Sequence, residues 1–333
     1  MLGGILTKAI VYTKYGPPDV LQLKEVEKPT PKEDEVLIKV RAASVNPLEW
    51  HFMRGKPLFM RLMGAGLLKP KNKILGVDIA GRVEAVGRNV KQIQPGDDVF
   101  GGTNYGGGFA EYVCVSENRL TLKPANITFE EAAAVPIAAI SALQGLRDKG
   151  KIQPGQKVLI NGASGGVGTF SVQIAKSFGA EVTGVCSTRN LDMVRSIGAD
   201  QVIDYTQEDF TQNGRSYDLI IDAVGNRSIF DYKRALSPNG ICVIIGFSAA
   251  LMLQYLLFGP WMSMTGSKKF SVLSAKITNK DLVLLKELFE SGKVATVIDR
   301  RYPLSEVAEA IRYLEEGHAQ GKVVITLGHN NKT

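Results

Sequence analysis

The spacing of hydrophobic residues changes along the chain and separates three zones. Up to about Thr128, short runs of β-branched and aromatic residues alternate with turns rich in proline and glycine. This pattern predicts short strands and a compact, barrel-like β domain. Clear examples of these runs are residues 9–12, 35–41, 80–86 and 112–115.

From about Phe129 to Ala275, predicted strands alternate with predicted helices, such as residues 191–197 and 228–236. The predicted strands are residues 157–161, 181–186, 201–204, 218–224 and 241–245. Alternation of this kind predicts a doubly wound parallel sheet of the α/β class. Several of these strands are apolar throughout, as expected where helices cover both faces of a sheet.

The third zone predicts helices over residues 280–291 and 305–316, followed by a strand over 322–326. A chain of 333 residues exceeds the size of one hydrophobic core, so we expect two domains. The longest apolar stretch, near 249–264, is broken by polar residues and proline and is too short to cross a bilayer.

Composition narrows the class of protein. Hydrophobic residues make up 44% of the chain and charged residues 22%, which is typical of soluble globular proteins. The net charge of +7 comes from scattered lysines and arginines, a pattern that favours a solvated surface over a nucleic-acid interface. The three cysteines lie far apart, and the first seven residues lack the pattern of a signal peptide. We therefore expect a cytoplasmic protein without disulfides.

A glycine-rich turn follows the strand at 157–161 and leads into an amphipathic segment that ends near Phe178. Ala163, Gly165 and Gly168 form a variant of the dinucleotide fingerprint. Gly165 would let the backbone approach a pyrophosphate, and Gly168 would let the helix pack closely on the strand. The N-terminus of that helix would offer free N–H groups to the phosphates. A glycine-rich turn that binds nothing is the alternative interpretation.

Several motifs carry a resemblance to a known family. They are ASVNP at 43–47, GVDIAGRVEAVG at 76–87, PGDDVFG at 95–101, GFAEY at 108–112, the glycine-rich turn and GKVVI at 321–325. With these motifs the chain resembles the medium-chain dehydrogenase/reductase superfamily, and its quinone-oxidoreductase-like branch more than the zinc alcohol dehydrogenases. The resemblance implies a Rossmann domain at 129–275 and a β-rich GroES-like catalytic domain built from 1–128 and 276–333.

The resemblance also bears on zinc. Asn46 and Val77 stand where the zinc branch has a cysteine ligand and its histidine ligand, and the later cysteine position of that branch falls near Ile137. Asparagine, valine and isoleucine are poor or impossible replacements for these ligands. The four-cysteine lobe that holds structural zinc in that branch is missing as well. We therefore expect no metal site.

NADPH is the expected cofactor. No carboxylate stands at the end of the second Rossmann strand, where an NAD site usually has one. Ser187, Thr188 and Arg189 can instead face a 2′-phosphate, and charge-assisted hydrogen bonds of this kind contribute about 1.5–3 kcal/mol each. The turn residues expected to hold the pyrophosphate are Ala163, Ser164, Gly165, Gly166, Val167 and Gly168. Further contacts implied by the resemblance, or by the position of loops at the sheet edge, are Asn46, Ser141, Tyr205, Val224, Gly246 and Phe247.

Without a metal, hydrogen-bond donors must stabilise the oxyanion that hydride transfer creates. Asn46 is the first candidate, because its amide can hold nicotinamide or substrate. Tyr105 is a possible donor, and His51 stands at the spacing of a proton-relay histidine in the zinc branch. Each of the three has a purely structural alternative, as a turn residue, a packed residue or a surface residue.

The combined prediction is a zinc-independent, NADPH-dependent reductase of quinones or of activated, enone-type double bonds. The alternatives are an alcohol or aldehyde dehydrogenase of the same superfamily, and an NADPH-binding protein with little activity. The resemblance implies a homodimer paired across the edge strand near 269–275. The apolar segment at 56–68 is a candidate substrate lid. The segment at 251–264 is compatible with a substrate cap, a subunit interface or contact with a membrane surface.

Overall fold

A computed structural model of the chain describes residues 4–57, 61, 66–104, 106–246 and 249–328. The strands are β1 Leu6–Val11, β2 Gln22–Glu27, β3 Glu35–Val45, β4 Asp78–Val86, β5 Asp98–Gly102, β6 Tyr112–Ser116, β7 Leu120–Leu122, β8 Lys157–Asn161, β9 Glu181–Cys186, β10 Gln201–Asp204, β11 Tyr217–Asp222, β12 Leu236–Ile244, β13 Lys269–Val272, β14 Ile298–Pro303 and β15 Lys322–Thr326. The helices are α1 Pro47–Arg54, α2 Phe129–Ala133, α3 Pro136–Gln144, α4 Gly166–Ser177, α5 Leu191–Ser196, α6 Ile229–Ala235, α7 Ala249–Thr265, α8 Asn279–Glu290 and α9 Val307–Glu315.

The chain forms two compact units. The second unit consists of residues 138–276 and 291–297, and the remainder of the chain belongs to the first. The first boundary lies at Ile137 instead of 128, because the Ile137 N–H donates to Asp78 Oδ1 over 2.9 Å. Residues 291–297 join the second unit because the Gln173 side chain accepts from the Ala295 N–H over 2.8 Å and donates to its carbonyl over 2.9 Å.

The second unit is built on a six-stranded parallel sheet with the order β10-β9-β8-β11-β12-β13. This order reverses direction between β8 and β11, and ligands bind at the carboxyl ends of strands at such a switch point. The sheet confirms the doubly wound α/β class predicted from the alternating pattern. β12 begins at Leu236, earlier than the predicted 241, because Leu236 pairs with Tyr217 before the register shifts.

The first unit contains a seven-stranded sheet in which β14-β15-β3-β4-β5-β7 lie in order and β6 also pairs with β3. All of its pairs are antiparallel except β14 with β15. β15 comes from the C-terminal part of the chain and pairs with β3 from the N-terminal part. The C-terminal part of the chain therefore returns to the first domain, as predicted, through the pairing of β15 with β3.

Each unit has a separate hydrophobic core. The core of the first unit joins β3 and β4 with α1, α9 and β15. The core of the second unit joins the central parallel strands with α6 and the start of α7. In the part of the chain that the structure describes, no helix has the length and apolarity needed to cross a membrane.

Candidate functional site

The glycine-rich turn connects β8 to α4 at the centre of the parallel sheet. Gly162 has a φ of +85°, a conformation that favours glycine. The N–H groups of Gly162 and Ala163 both donate to the Val185 carbonyl, over 3.1 and 2.9 Å, which fixes the turn to β9. Gly165 is the N-cap of α4, so the N–H groups of Gly166, Val167 and Gly168 lie in the first helical turn. Such groups lack helical partners and can bind an anion.

Gly165 and Gly168 are required for different reasons. A Cβ atom built on Gly168 would lie 2.0 Å from the Gly162 carbonyl oxygen, so the start of α4 packs directly on the turn. A Cβ atom built on Gly165 would meet only the same oxygen, at an ordinary 3.6 Å. The fold itself therefore does not require glycine at 165. The open space beside Gly165 is what a closely bound phosphate would fill.

Loops after the next two strands of the sheet reach the same turn. A Cβ atom on Gly162 would lie 2.4 Å from a methyl group of Val224, in the loop after β11. A Cβ atom on Gly246, in the loop after β12, would lie 2.5 Å from the Val224 backbone nitrogen. Val224 therefore lies against the glycine-rich turn and Gly246 lies against Val224, while the contact of either residue with a cofactor stays a prediction.

Asp222 organises these loops, and the sequence analysis did not identify it. It is the last residue of β11 and fully buried. Its Oδ1 accepts from the N–H groups of Val224 (3.1 Å) and Gly225 (2.9 Å), and from Nδ2 of Asn161 (3.0 Å) at the end of β8. Burial raises the pKa of Asp222, against the lowering effect of these hydrogen bonds. The sequence did contain a signal for this role, because the apolar strands β8 and β11 each end in a polar residue, Asn161 and Asp222.

The predicted 2′-phosphate residues lie at the carboxyl ends of β9 and β10. Ser187, Thr188 and Arg189 follow β9, and Tyr205 follows β10 with its N–H donating to the Cys186 carbonyl over 3.0 Å. The half-exposed Tyr205 ring is accessible from solvent. These four residues therefore lie at one edge of the sheet, although their contacts with a cofactor remain predictions.

Asn190 is a second residue that the sequence analysis missed. Its buried amide donates to Ser164 Oγ over 3.0 Å and to Ser187 Oγ over 3.2 Å. It therefore links the glycine-rich turn to the loop after β9. A hydroxyl that accepts a hydrogen bond keeps its own proton for donation, so Ser164 and Ser187 can both donate to phosphate oxygens.

Asp204 places a negative charge beside the predicted phosphate site. It closes β10, and its Oδ2 accepts from the Thr188 hydroxyl over 2.5 Å. This hydrogen bond is the main reason that the pKa of Asp204 lies below its ordinary value. No carboxylate stands at the end of β9, but the neighbouring strand β10 ends with one. Thr188 consequently has its proton directed to Asp204, which leaves Ser187 and Arg189 as the donors toward a phosphate.

A separate polar cluster is buried in the first unit around Asn46. The Lys322 ammonium donates to Asn46 Oδ1 and lies 3.5 Å from Asp78 Oδ2. Asn46 Nδ2 donates to the same Asp78 oxygen over 3.0 Å, and the Ser44 hydroxyl does so over 2.9 Å. All four side chains are almost inaccessible to solvent. The amide of Asn46 is therefore held in one orientation, with one N–H hydrogen of Nδ2 left for a ligand.

Glu49 lies beside this cluster on the first turn of α1. Its two carboxyl oxygens accept from the backbone N–H groups of Asn46 (2.8 Å) and Val77 (3.0 Å). Complete burial and, second, the nearby Asp78 carboxylate raise the pKa of Glu49 to about 7. Glu49 therefore titrates near neutral pH. Asp78 and Lys322 lie within the motifs at 76–87 and 321–325, and Glu49 lies two residues after the motif at 43–47. Because these segments are far apart in the sequence, their contact could not be predicted from it.

The other predicted residues have different surroundings. The Nδ1 atom of His51 lies 3.0 Å from the Lys56 carbonyl oxygen, in the C-terminal half of α1, so the described contacts do not place it in the Asn46 cluster. Burial lowers the pKa of His51, which favours a neutral imidazole at pH 7. Ser141 is buried in α3, one turn before Gly145, which packs near Ile245. Tyr105 and Phe247 lie outside the described residues, as does most of the apolar segment at 56–68.

The donor chemistry around Asn46 does not fit zinc. Among the residues that the structure describes, no group of three or more histidine, cysteine, aspartate or glutamate side chains could hold a metal ion. The three cysteines are free thiols in separate places. A divalent cation next to Asn46 would also have to approach the buried Lys322 ammonium, which repels it. The cationic position beside Asp78 is occupied by the protein's own lysine.

Comparison with known proteins connects these features. Residues 32–125 match the family described as "Alcohol dehydrogenase GroES-like domain", and residues 197–325 match the one described as "Zinc-binding dehydrogenase". The quinone-oxidoreductase homolog of Spinacia oleracea chloroplasts is 34% identical, over 96% of this chain and 98% of its own. The chloroplastic NADPH-dependent alkenal/one oxidoreductase of Arabidopsis thaliana is 36% identical, over 96% of this chain and 79% of its own.

A solved structure is similar over the whole chain. The quinone oxidoreductase from Coxiella burnetii superimposes with a TM-score of 0.86 and 30% identity, covering 97% of this chain and 100% of its own. The agreement includes both units, because each lies within the covered part of the chain.

The two glycines provide a test of the nucleotide site. We expect Gly165→Ala to leave the free energy of unfolding unchanged, because a Cβ atom fits there, but to weaken NADPH binding at least about tenfold. We expect Gly168→Ala to destabilise the protein by about 1–3 kcal/mol, because its Cβ atom overlaps a backbone oxygen. Urea unfolding and NADPH titration measure the two effects. Unchanged NADPH binding by Gly165→Ala would contradict a phosphate at this turn.

Glu49 predicts a pH dependence of stability. Its pKa is about 7 in the folded chain against an ordinary 4.5, so between these values the unfolded state releases the proton first. The stabilisation is complete below about pH 4.5 and is lost as the pH rises through 7. Relative to Glu49→Gln, the wild type should lose about 3 kcal/mol of unfolding free energy across this interval. Chemical denaturation at pH 4.5, 6 and 8 measures the difference, and parallel pH curves would refute the raised pKa.

Proposed function

Because the chain belongs to the quinone-oxidoreductase-like branch of the medium-chain dehydrogenase/reductase superfamily, we propose that it is a zinc-independent, NADPH-dependent reductase of quinones or of enone-type double bonds. The observation that carries the proposal is the hydrogen bond from the buried Lys322 ammonium to Asn46 Oδ1. By the resemblance, Asn46 stands where the zinc branch has a metal ligand. The names of the relatives, as quinone and alkenal/one oxidoreductases, support the substrate class.

The residues for holding a dinucleotide belong to the second unit. When bound, NADPH supplies the hydride. Backbone N–H groups at the start of α4 face the pyrophosphate position, and Asn190 keeps the Ser164 and Ser187 hydroxyls in place. Asp222 holds the loop that carries Val224 through two backbone hydrogen bonds. These contacts keep the turn and its neighbouring loops in a fixed arrangement before binding, which reduces the entropy cost of association.

The preference for NADPH depends on a balance of charges at the ends of β9 and β10. Arg189 and Ser187 can donate to a 2′-phosphate, whereas the Asp204 carboxylate repels it. Arg189 is exposed on the turn that follows Ser187, and its planar guanidinium has the geometry to bind a phosphate through two hydrogen bonds. We expect the attraction to exceed the repulsion, because the dipole of the Thr188 hydroxyl opposes the field of the Asp204 carboxylate to which it donates.

Asn46 is the group that we assign to the substrate or nicotinamide. Its Oδ1 accepts from the Lys322 ammonium, and this charge polarises the amide so that the remaining Nδ2 hydrogen becomes a stronger donor. A developing oxyanion needs such a donor in a site from which water is largely excluded. Lys322 acts here as a positioning residue, because it acts through Asn46. Because burial lowers the pKa of His51, its imidazole is mostly neutral near pH 7, which makes His51 a weaker candidate for the proton donor.

A homodimer and a cytoplasmic location are further parts of the proposal. β13 is an edge strand of the parallel sheet, and a second copy could pair with it. The spacing of the cysteines and their state as free thiols are compatible with a reducing compartment.

Activity after removal of metal tests the proposal directly. The purified protein, dialysed against a chelator, should oxidise NADPH with one or more members of a panel of ortho- and para-quinones and small enones. We expect turnover within about twofold of the undialysed protein, since no step requires a metal. Activity that returns only with added zinc would refute zinc independence. Tight NADPH binding without turnover on the whole panel would favour the binding protein, and oxidation of alcohols would favour the dehydrogenase.

Arg189→Leu tests the choice of cofactor. The substitution should lower kcat/KM for NADPH by about 10- to 100-fold and change kcat/KM for NADH less than about twofold. Arg195→Leu is the matched control, because Arg195 is an exposed arginine on the following helix that pairs with Asp192. Equal losses with both cofactors, or an equal effect of the control, would show that Arg189 does not contact the 2′-phosphate.

A further inference from the structure

The α7 helix exposes leucines where a helix in water usually carries polar residues. Leu253, Leu256 and Leu257 are 58%, 66% and 62% exposed, whereas Leu251 on the other side of the helix is buried in the core of the second unit. No charged residue occurs between Ala249 and Thr265. Helices on the surface of globular proteins have polar outer faces, so this face needs an explanation.

The exposed surface continues onto the neighbouring helix α6. The ring of Phe258 on α7 lies 5.5 Å, centroid to centroid, from the ring of Phe230 on α6. Phe230 is 49% exposed and Phe258 is 38% exposed. Phe230, Leu253, Leu256, Leu257 and Phe258 together form what we call the α7 patch. Its two helices pack against each other, so the patch is a structured surface and not a set of scattered side chains.

Basic side chains border the α7 patch. Lys233 follows Phe230 by one turn of α6, and the Lys268 ammonium donates to the Lys233 carbonyl over 2.8 Å. From residue 227 to residue 276 the chain contains six lysines or arginines and a single acidic residue, Asp231. The Asp231 carboxylate is already bound by Ser228 and Arg234, so the border of the patch is positively charged.

We propose that the α7 patch is the contact surface for an anionic lipid bilayer. An apolar helix face with aromatic and leucine side chains can enter the boundary between headgroups and acyl chains, and the lysines beside it can bind lipid phosphates. The two contributions act together, since apolar burial needs close contact and the lysines favour that contact electrostatically. The protein would lie on the membrane surface by this face.

A second copy of the chain fits this surface less well. A twofold interface centred on the α7 patch would join the same face of two copies. It would therefore place the lysines of one copy close to those of the other. Like charges brought together in an interface oppose association. A lipid surface with negative charge complements the basic border instead. The inference does not rest on the proposed enzymatic function, because vesicle binding requires neither cofactor nor substrate.

Vesicle co-sedimentation tests the proposal with the full-length protein. Wild type should bind vesicles of phosphatidylcholine with 30% phosphatidylglycerol, and binding should fall in 0.5 M salt and on vesicles of phosphatidylcholine alone. The double variant Leu253→Ser/Leu256→Ser should bind at least about tenfold more weakly, because both leucines lose their apolar contact. The charge variant Lys233→Gln/Lys268→Gln should bind anionic vesicles less well and neutral vesicles unchanged.

The matched control is Leu6→Ser/Leu23→Ser, which alters two exposed leucines of the first unit. The control should bind vesicles as the wild type does. Circular dichroism and thermal unfolding would show that each variant is folded. Absence of wild-type binding to anionic vesicles, or equal loss in the control, would overturn the proposal. So would conversion of a dimer to a monomer by Leu253→Ser/Leu256→Ser in light scattering, with vesicle binding unchanged, since a second copy would then cover the patch.

Discussion

The buried ammonium of Lys322 holds the centre of the first unit together. Lys322 lies on β15, which follows all strands of the parallel sheet in the sequence. It contacts Asn46 and Asp78 from the N-terminal part of the chain. Removing one partner of a buried ion pair leaves an uncompensated charge, which typically costs about 3–5 kcal/mol. The C-terminal strand thus contributes a charge that the N-terminal segments require, besides its backbone pairing with β3.

The same interaction determines what chemistry the first unit can offer. With Lys322 beside it, Asp78 already has a cationic partner, and Asn46 is oriented with a single N–H to spare. The second unit follows a comparable arrangement at the carboxyl ends of β8 and β11, where Asn161 and Asp222 hold the loop that borders the glycine-rich turn. In both units a buried carboxylate fixes a neighbouring group that can face a ligand.

Much of the fold and part of the site could be predicted from the sequence. Strands such as Glu181–Cys186 and Lys322–Thr326 have the bounds that their apolar runs indicate, and the glycine-rich turn lies between β8 and α4. The roles of Asp222, Asn190, Asp204 and Lys322 could not be predicted in this way. Each acts on a partner from another strand or loop, at sequence separations from 16 to 276 residues, and single-chain periodicity carries no information about such pairs.

The sequence by itself determined the local elements, because hydrophobic periodicity and turn residues act over a few neighbouring positions. It also determined which residues could donate, accept or bind a phosphate. Only the tertiary structure decided which of them meet. The order β10-β9-β8-β11 brought Asp204 to Thr188 and Asp222 to Asn161, and the return of β15 brought Lys322 to Asn46. Burial then strengthened the Asp222–Asn161 and Lys322–Asn46 pairs, since charges interact more strongly away from water, whereas the Asp204–Thr188 pair is exposed.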